Sequence, residues 1–202
     1  MLNLYDITNK FEYRHGDIFE QKDLDYIAHQ CNCFHCMGGG IAYQIAKRFT
    51  NGRQADIDLT LYANKLKMGT NLVVGVTPNN PDNKLKGIIN MYSQYEPGCF
   101  KSDEEYDERL EAIENCLVGI KTRFENDSNV TIGFPYLIGC GISGLNEEDV
   151  IKIFNKVFDA NSNSNIKIIF VDLNKTFDLY EQQEFDWNDE RNDTQIESNS
   201  DF

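Results

Sequence analysis

The stretch from Tyr26 to Phe49, YIAHQCNCFHCMGGGIAYQIAKRF, constrains this chain more than any other: a short apolar strand runs into a polar loop, three consecutive glycines and then a helix. A strand that delivers a glycine-rich turn to a helix N-terminus builds a cradle for an anion. Glycine lets the backbone approach a ligand where a Cβ would collide, and the first N–H groups of the helix have no partner inside it. Such a unit belongs to α/β architecture, so the remainder of the chain is expected to alternate strands with helices.

The alternation is present. Phe11 to His15 has the pattern of a first strand and ends at Gly16-Asp17-Ile18, a glycine turn with an acid at a strand end. Asp25 to Gln30 is short and mostly apolar, as a buried central strand should be. Beyond the glycines, Ile41, Ile45 and Phe49 recur at helical spacing, with Ala42 and Ala46 beside them. A second helix is predicted from Arg53 to Lys67, with Ile57, Leu61 and Leu66 facing inward. Asn71 to Thr77 and Gly87 to Tyr92 read as strands on either side of a polar loop containing Pro81-Asp82-Asn83.

Ser102 and Glu105 form a capping box ahead of a helix on which Tyr106, Leu110, Ile113, Leu117, Ile120 and Phe124 share one face. Asn129 to Tyr136 is a strand that opens into a second glycine-rich loop, Leu137 to Gly144. Asn146 then caps a helix with Glu147, Glu148 and Asp149 in its first turn and Val150, Phe154, Val157 and Phe158 on its inner face. Ile166 to Val171 is a last, continuously apolar strand. Strands buried on both faces and separated by helices imply a mixed, mainly parallel sheet between helical layers. Two glycine loops that leave strand ends and enter helix starts belong at one edge of that sheet, where open α/β folds bind ligands.

Charge narrows the partners. The net charge is −14, and eight acidic residues against Arg191 alone between Glu181 and Phe202 account for half of it. A phosphate-backbone grip on nucleic acid needs clustered lysine and arginine, so no nucleic-acid partner is expected. No apolar run approaches the roughly 20 residues of a membrane span. The segment MLNLYDITNKFEYRH has neither a basic nor an apolar signal region, so an intracellular, cytoplasmic or nuclear, protein is expected. The apolar pattern stops after Leu179, which divides the chain into a domain over residues 1–179 and an acidic, disordered tail over 180–202.

Six cysteines stand at 31, 33, 36, 99, 116 and 140. Without a secretory signal they do not suggest a disulfide framework. Cys31, Cys33, His35 and Cys36 are metal-ligand types, but a structural zinc site takes two separated pairs and no second knuckle follows. No metal or cofactor is expected.

The residues Gly16-Asp17-Ile18, AHQCNC (Ala28 to Cys33), MGGGIAYQIA (Met37 to Ala46) and IGCGISGL (Ile138 to Leu145), in this order, resemble the macro domain, a three-layer α/β/α module that binds ADP-ribose. Within that family the His-x-Cys-Asn-Cys run ahead of Gly-Gly-Gly-Ile-Ala-Tyr-Gln is most similar to the ADP-ribose 1''-phosphate phosphatases, whose substrate arises downstream of tRNA splicing. The resemblance implies a substrate site made of Gly16, Asp17 and Ile18 at the adenine; Gln30, Cys31 and Asn32 at the end of the second strand; Met37, Gly38, Gly39, Gly40, Ile41 and Ala42 at the distal ribose; and Gly139, Cys140, Gly141, Ile142, Ser143, Gly144 and Leu145 at the pyrophosphate. Main-chain N–H groups do the phosphate binding there, which lets an acidic protein hold an anionic ligand.

It further implies two catalytic residues, His29 and Asn32. A histidine that titrates near neutrality activates water or protonates a leaving oxygen, and an asparagine orients a water or a ribose hydroxyl. Each has a structural alternative: a buried strand histidine, and a loop asparagine making a local turn. Asp17 likewise could be a turn aspartate.

The chain also departs from one relative of this branch, which removes ADP-ribose from glutamate with a lysine after the middle strand and an aspartate after the GCG turn. Here those places hold Tyr92-Ser93-Gln94 and Ser143, so that covalent route is not expected. Cys140 lacks the C-x5-R context of a phosphatase nucleophile, and Asp82 is a candidate alternative acid. The function implied is hydrolysis of the terminal phosphate of ADP-ribose 1''-phosphate by a monomeric enzyme. Hydrolysis of ADP-ribosyl or O-acetyl-ADP-ribose esters and binding of ADP-ribose without chemistry are the alternatives.

Overall fold

The computed structural model describes residues 11–78, 81–158 and 165–173. Six strands form one sheet in the order β1-β6-β5-β2-β4-β3, with β1 Glu12–His15, β2 Tyr26–Asn32, β3 Asn71–Gly75, β4 Gly87–Gln94, β5 Val130–Pro135 and β6 Ile166–Asp172. Every pairing is parallel except β3 with β4. The helices are α1 Gly40–Arg48, α2 Thr50–Leu59, α3 Asp103–Phe124 and α4 Glu147–Val157. This is the mixed, mainly parallel α/β sheet between helical layers that the alternation predicts. The acidic tail falls outside the described residues, and no described helix is long and apolar enough to cross a membrane.

The layers follow from strand periodicity, since successive side chains point to opposite faces. Ala28, Ile89, Met91, Ile132, Phe134, Ile168 and Phe170 pack with Ile113, Leu117, Ile120 and Phe124 of α3 and Val150, Phe154 and Val157 of α4. The intervening residues Ile27, Ile88, Ile169 and Val171 pack on the other face against Ile45 of α1. Helix α3 begins where its box predicts: Ser102 Oγ accepts from Glu105 N at 3.2 Å, while Glu105 Oε2 accepts from Lys101 N at 2.9 Å. Asn146 caps α4 by accepting from Glu148 N at 2.8 Å.

The predicted Arg53–Lys67 helix is corrected. Helix α2 stops at Leu59, where the Thr60 hydroxyl donates back to Asp56 O at 2.6 Å, and only a short 3-10 turn, Lys65–Lys67, follows. Its inner stripe is Gly52 and Asp56, so Ile57 is 41% exposed, while Leu61 and Leu66, beyond the end of the helix, are 70% and 86% exposed. The register is set by a charge: Asp56 is buried because Tyr92 Oη donates to it at 2.7 Å and Lys67 Nζ lies 3.5 Å away. A purely hydrophobic reading of the helix turns that face outward.

Candidate functional site

Because β1, β2, β5 and β6 run parallel, the loops that follow β1, β2 and β5 all leave the same, carboxyl edge of the sheet. Gly16 N donates to Asp172 O at 3.0 Å and Tyr136 N to Val171 O at 2.9 Å, which ties the first and last of these loops to the end of β6. The two glycine loops meet: a Cβ built on Gly39 would lie 3.1 Å from Ile142 Cδ1. The structure therefore brings Met37–Ala42 and Gly139–Leu145 together across one cleft. Gln30, at the end of β2, reaches the second loop, its Nε2 lying 3.4 Å from Ser143 Oγ.

The main chain of both loops is short of acceptors. Gly39 is the N-cap of α1, so the N–H groups of Gly40, Ile41 and Ala42 have no carbonyl four residues back within the helix. Gly40 adopts φ +53°, a left-handed value that favours glycine. In the second loop, Cys140, Gly144 and Leu145 donate internally to Leu137, Gly141 and Gly139. The N–H groups of Gly141, Ile142 and Ser143 make no hydrogen bond among the described residues. Consecutive free N–H groups on one loop and a helix N-terminus on the facing loop form a donor array for an anion.

Helix α1 connects this array to Asp17. Arg48, its last residue, places Nη2 3.3 Å from Asp17 Oδ2 and stacks its guanidinium 4.6 Å from the centre of the Phe19 ring. Nine helical residues span about 13 Å at 1.5 Å each, so Asp17 and the glycines stand at the two ends of α1. Asp17 Oδ1 accepts from Phe19 N at 2.9 Å and caps the Ile18–Glu20 turn. The turn role is thus present, with Oδ2 on the Arg48 side.

His29 and Asn32 are placed differently from what the catalytic reading needs. His29 is 0% exposed and lies, by strand alternation, on the Ile27 face of β2 beneath α1 and α2. Its Nε2 is 2.7 Å from Asn90 Oδ1, and Asn90 Nδ2 points at Gly52 O at 3.5 Å. With the amide nitrogen directed at a carbonyl, Oδ1 is the acceptor and His29 Nε2 carries the proton. Burial pulls the imidazole pKa down to about 4, only partly offset by the Asn90 hydrogen bond and the Asp56 charge.

Asn32 is 6% exposed, and its amide organises the loop ahead of the glycines. Oδ1 accepts from Phe34 N at 3.0 Å and Cys36 N at 3.1 Å, and Nδ2 donates to Cys36 O at 2.7 Å. Both residues thus take the structural role that sequence left open for them.

Cys31 and Cys140 do not supply a nucleophile. Burial raises Cys31 well above the usual thiol range, and burial with the Glu147 charge pushes Cys140 up to about 12. A thiol so raised is protonated at neutral pH and unreactive. Asp82 is corrected as a candidate acid: it sits on the loop that enters β4, where Lys84 N and Lys86 N donate to Lys22 O and Asp25 O ahead of β2. That is the amino edge of the sheet, opposite the cleft. A hollow of about 470 Å³ on that amino edge, bordered by Glu12, Asn129 and Lys167, has its Lys167–Glu12 pair already joined and offers no donor array.

Two features of the cleft escape sequence reading. Arg109 of α3 is 0% exposed beneath the second loop, with Nη1 2.8 Å from Ser143 Oγ. Ser93, the extra residue of a bulge on β4 opposite Cys31 and Asn32, has a buried Oγ without a partner among the described residues.

A family model described as Macro domain matches residues 28–154. A protein of Enterobacteria phage T4, described as an uncharacterized 17.5 kDa protein in the tk-vs intergenic region, is 33% identical over 147 residues, 72% of this chain and 84% of that protein. Among solved structures, the macrodomain of Mycobacterium tuberculosis DarG aligns with a TM-score of 0.57 at 19% identity, over 80% of this chain and 97% of its own. Thermosipho africanus DarTG in complex with ADP-ribose aligns with a TM-score of 0.57 at 14% identity, over 84% of this chain and 43% of its own. At these identities the structural likeness concerns the fold.

Proposed function

This chain belongs to the macro domain family, and on that premise we propose that it binds ADP-ribose derivatives in the carboxyl-edge cleft and hydrolyses the terminal phosphate of ADP-ribose 1''-phosphate. The observation that carries the binding part is the convergence of two glycine loops whose N–H groups at Gly40–Ala42 and Gly141–Ser143 are unused by the protein. In this reading Asp17 receives the adenine, Gly141–Ser143 hold the pyrophosphate, and Gly38–Gly40 border the distal ribose. The structure of Thermosipho africanus DarTG, described with ADP-ribose bound, supports the choice of ligand class.

The hydrolytic part rests on the run from His29 to Gln44, which resembles the phosphatase branch. Water attacks phosphorus, the bond to the anomeric oxygen breaks, and ADP-ribose and inorganic phosphate leave. Charge moving onto the phosphoryl oxygens is met by the helix N-terminus of α1, so the protein contributes position and fixed dipoles. His29, neutral and tied to Asn90, supports the strand beneath the site, and Asn32 holds the loop that carries the glycines.

A specific observation favours a second reading, a module that binds ADP-ribose without turnover: the polar atoms of both His29 and Asn32 are engaged inside the protein. Incubating the purified full chain with ADP-ribose 1''-phosphate and measuring inorganic phosphate decides between them, alongside calorimetry with ADP-ribose. Phosphate release that disappears in the Gly39→Val variant supports the enzyme. Tight ADP-ribose binding with intact substrate selects the binding module, and absence of binding rejects both.

A further inference from the structure

The guanidinium of Arg109 is fully buried, although its partner on the same helix, Glu105, is one turn away and could meet it at the surface. Burying a cation is unfavourable unless geometry and hydrogen bonds compensate, so the contacts that hold it inside need an account. Nη1 approaches Ser143 Oγ at 2.8 Å, Ser143 O at 3.1 Å, Gly98 O at 2.7 Å and Gln94 Oε1 at 3.5 Å. Nη2 donates to Glu105 Oε1 at 2.5 Å, and Nε has no acceptor among the described residues. One side chain thus joins the end of β4, the loop after it and the second glycine loop.

The consequence falls on Ser143. A hydroxyl has two acceptor sites and one donor. Arg109 Nη1 fills one acceptor site, and Gln30 Nε2, at 3.4 Å, is directed at the other. What is left is the O–H, a donor with no acceptor among the described residues. It lies in the same loop as the three free N–H groups of Gly141, Ile142 and Ser143. A hydroxyl polarised from behind by a cation is also a better donor than an isolated one.

We infer that Arg109 is a positioning residue of the phosphate site: it fixes Ser143 so that its hydroxyl and the adjoining N–H groups face a ligand phosphate as donors only. This rests on the reading that the cleft holds a diphosphate-bridged ligand. Arg109 acts through Ser143 and does not touch the ligand. The two arms of the guanidinium matter, because Nη2 is held by Glu105 while Nη1 is turned to Ser143 and Gly98 O; the single ammonium nitrogen of a lysine supplies the charge without that two-sided anchoring.

The test compares the full chain with Arg109→Lys, Arg109→Met and Ser143→Ala by calorimetry with ADP-ribose and by amide hydrogen exchange. Gly144 N and Leu145 N, which donate within the loop, are the exchange reporters. Loss of one hydrogen bond to a charged group corresponds to about a tenfold change, so Arg109→Lys is expected to weaken binding by about tenfold and to speed exchange at both reporters. Ser143→Ala is expected to weaken binding by several-fold, and the Arg109→Lys/Ser143→Ala double variant to lose less than the product of the two.

If a folded Arg109→Lys protein binds ADP-ribose as the parent does, or if its affinity loss simply multiplies with that of Ser143→Ala, the inference is overturned. If the parent chain fails to bind ADP-ribose, the ligand reading falls, while faster exchange at Gly144 and Leu145 in Arg109→Lys still supports the positioning role. Unchanged exchange there counts against it. Should Arg109→Met not fold, the lysine and serine variants carry the test.

Discussion

His29 and Asn90 face each other across the parallel pair β2 and β4, Nε2 to Oδ1 at 2.7 Å, with both residues 0% exposed. The histidine that most resembles a catalytic group in sequence is thereby part of the floor on which the cleft rests. It is kept neutral by burial rather than poised by it.

That placement predicts a pH dependence of stability. An ordinary histidine gains its proton near 6.5, while His29 in the folded protein does so only at about 4. Between these values the unfolded chain binds more protons, so stability falls as pH drops from 6.5 toward 4. The loss amounts to about 2 kcal/mol at pH 5, at 1.36 kcal/mol per pH unit. Urea unfolding at pH 7 and pH 5 measures it, and His29→Gln removes this part of the slope. Carboxylates such as Glu105 and Asp149 are held below their ordinary range and act lower, below about pH 4.5: partial burial opposes the shift in Glu105 but its Arg109 and Lys101 contacts outweigh it, and the Tyr106 hydrogen bond leads in Asp149.

Asn32 carries three hydrogen bonds to the backbone of residues 34 and 36. Asn32→Ala leaves two part-buried N–H groups and one C=O without that partner, which is worth on the order of 2 kcal/mol. Asn32→Asp keeps the acceptor and places a second oxygen against Cys36 O, so it is destabilised as well. Both variants unfold at lower urea than the parent, and both bind ADP-ribose more weakly because the glycine loop is no longer tethered.

Two glycines of the second loop predict opposite phenotypes. Gly144 has φ +80°, and a Cβ there would lie 2.6 Å from Cys99 Sγ. Gly144→Ala therefore costs on the order of 2 kcal/mol in stability through strain and overpacking. A Cβ on Gly141 meets nothing within 4 Å, so the substitution is tolerated by the fold, while in the proposed reading this residue borders the pyrophosphate. Gly141→Ala retains the parent melting temperature and loses ADP-ribose affinity; a Gly141→Ala protein that binds normally argues against a ligand on this loop.

Much of the fold was legible because periodicity records burial. The faces of α3 and α4 and the continuous apolar run of β6 place the core where Leu117, Phe154 and Phe170 are found. The loops of the cleft were legible because glycine at a strand–helix junction has few other uses. What could not be read depends on partners distant in sequence. Nothing local distinguishes Arg109 from the solvent-facing charges of its helix, since its burial is decided by Ser143, 34 residues away. The orientation of His29 was available in principle, because it is two residues from buried Ile27, but its neutral state depends on Asn90 and on the helices above it. Helix α2 misled for the same reason, because Asp56 buries a charge that hydrophobic patterning turns outward.

The buried cluster around Asp56 yields the last expectation. Asp56 is 1% exposed and receives Tyr92 Oη at 2.7 Å, while Lys67 Nζ lies 3.5 Å away and sits 4.5 Å from the centre of the Tyr92 ring. Thr60 Oγ1 lies within hydrogen-bond distance of both Lys67 Nζ and His35 Nε2, so the cluster also anchors the loop between Asn32 and the glycines. Removing one partner of a buried ion pair leaves the other charge uncompensated, at about 3–5 kcal/mol, whereas removing both is far milder. Asp56→Asn is therefore strongly destabilised, and adding Lys67→Met to it restores part of the loss. Urea unfolding of the two single variants and the double variant measures the coupling; strictly additive losses would mean that the two charges do not depend on each other. Because His35 is held by the same cluster, Asp56→Asn also loosens the first glycine loop, and its affinity for ADP-ribose falls even at temperatures where the protein remains folded.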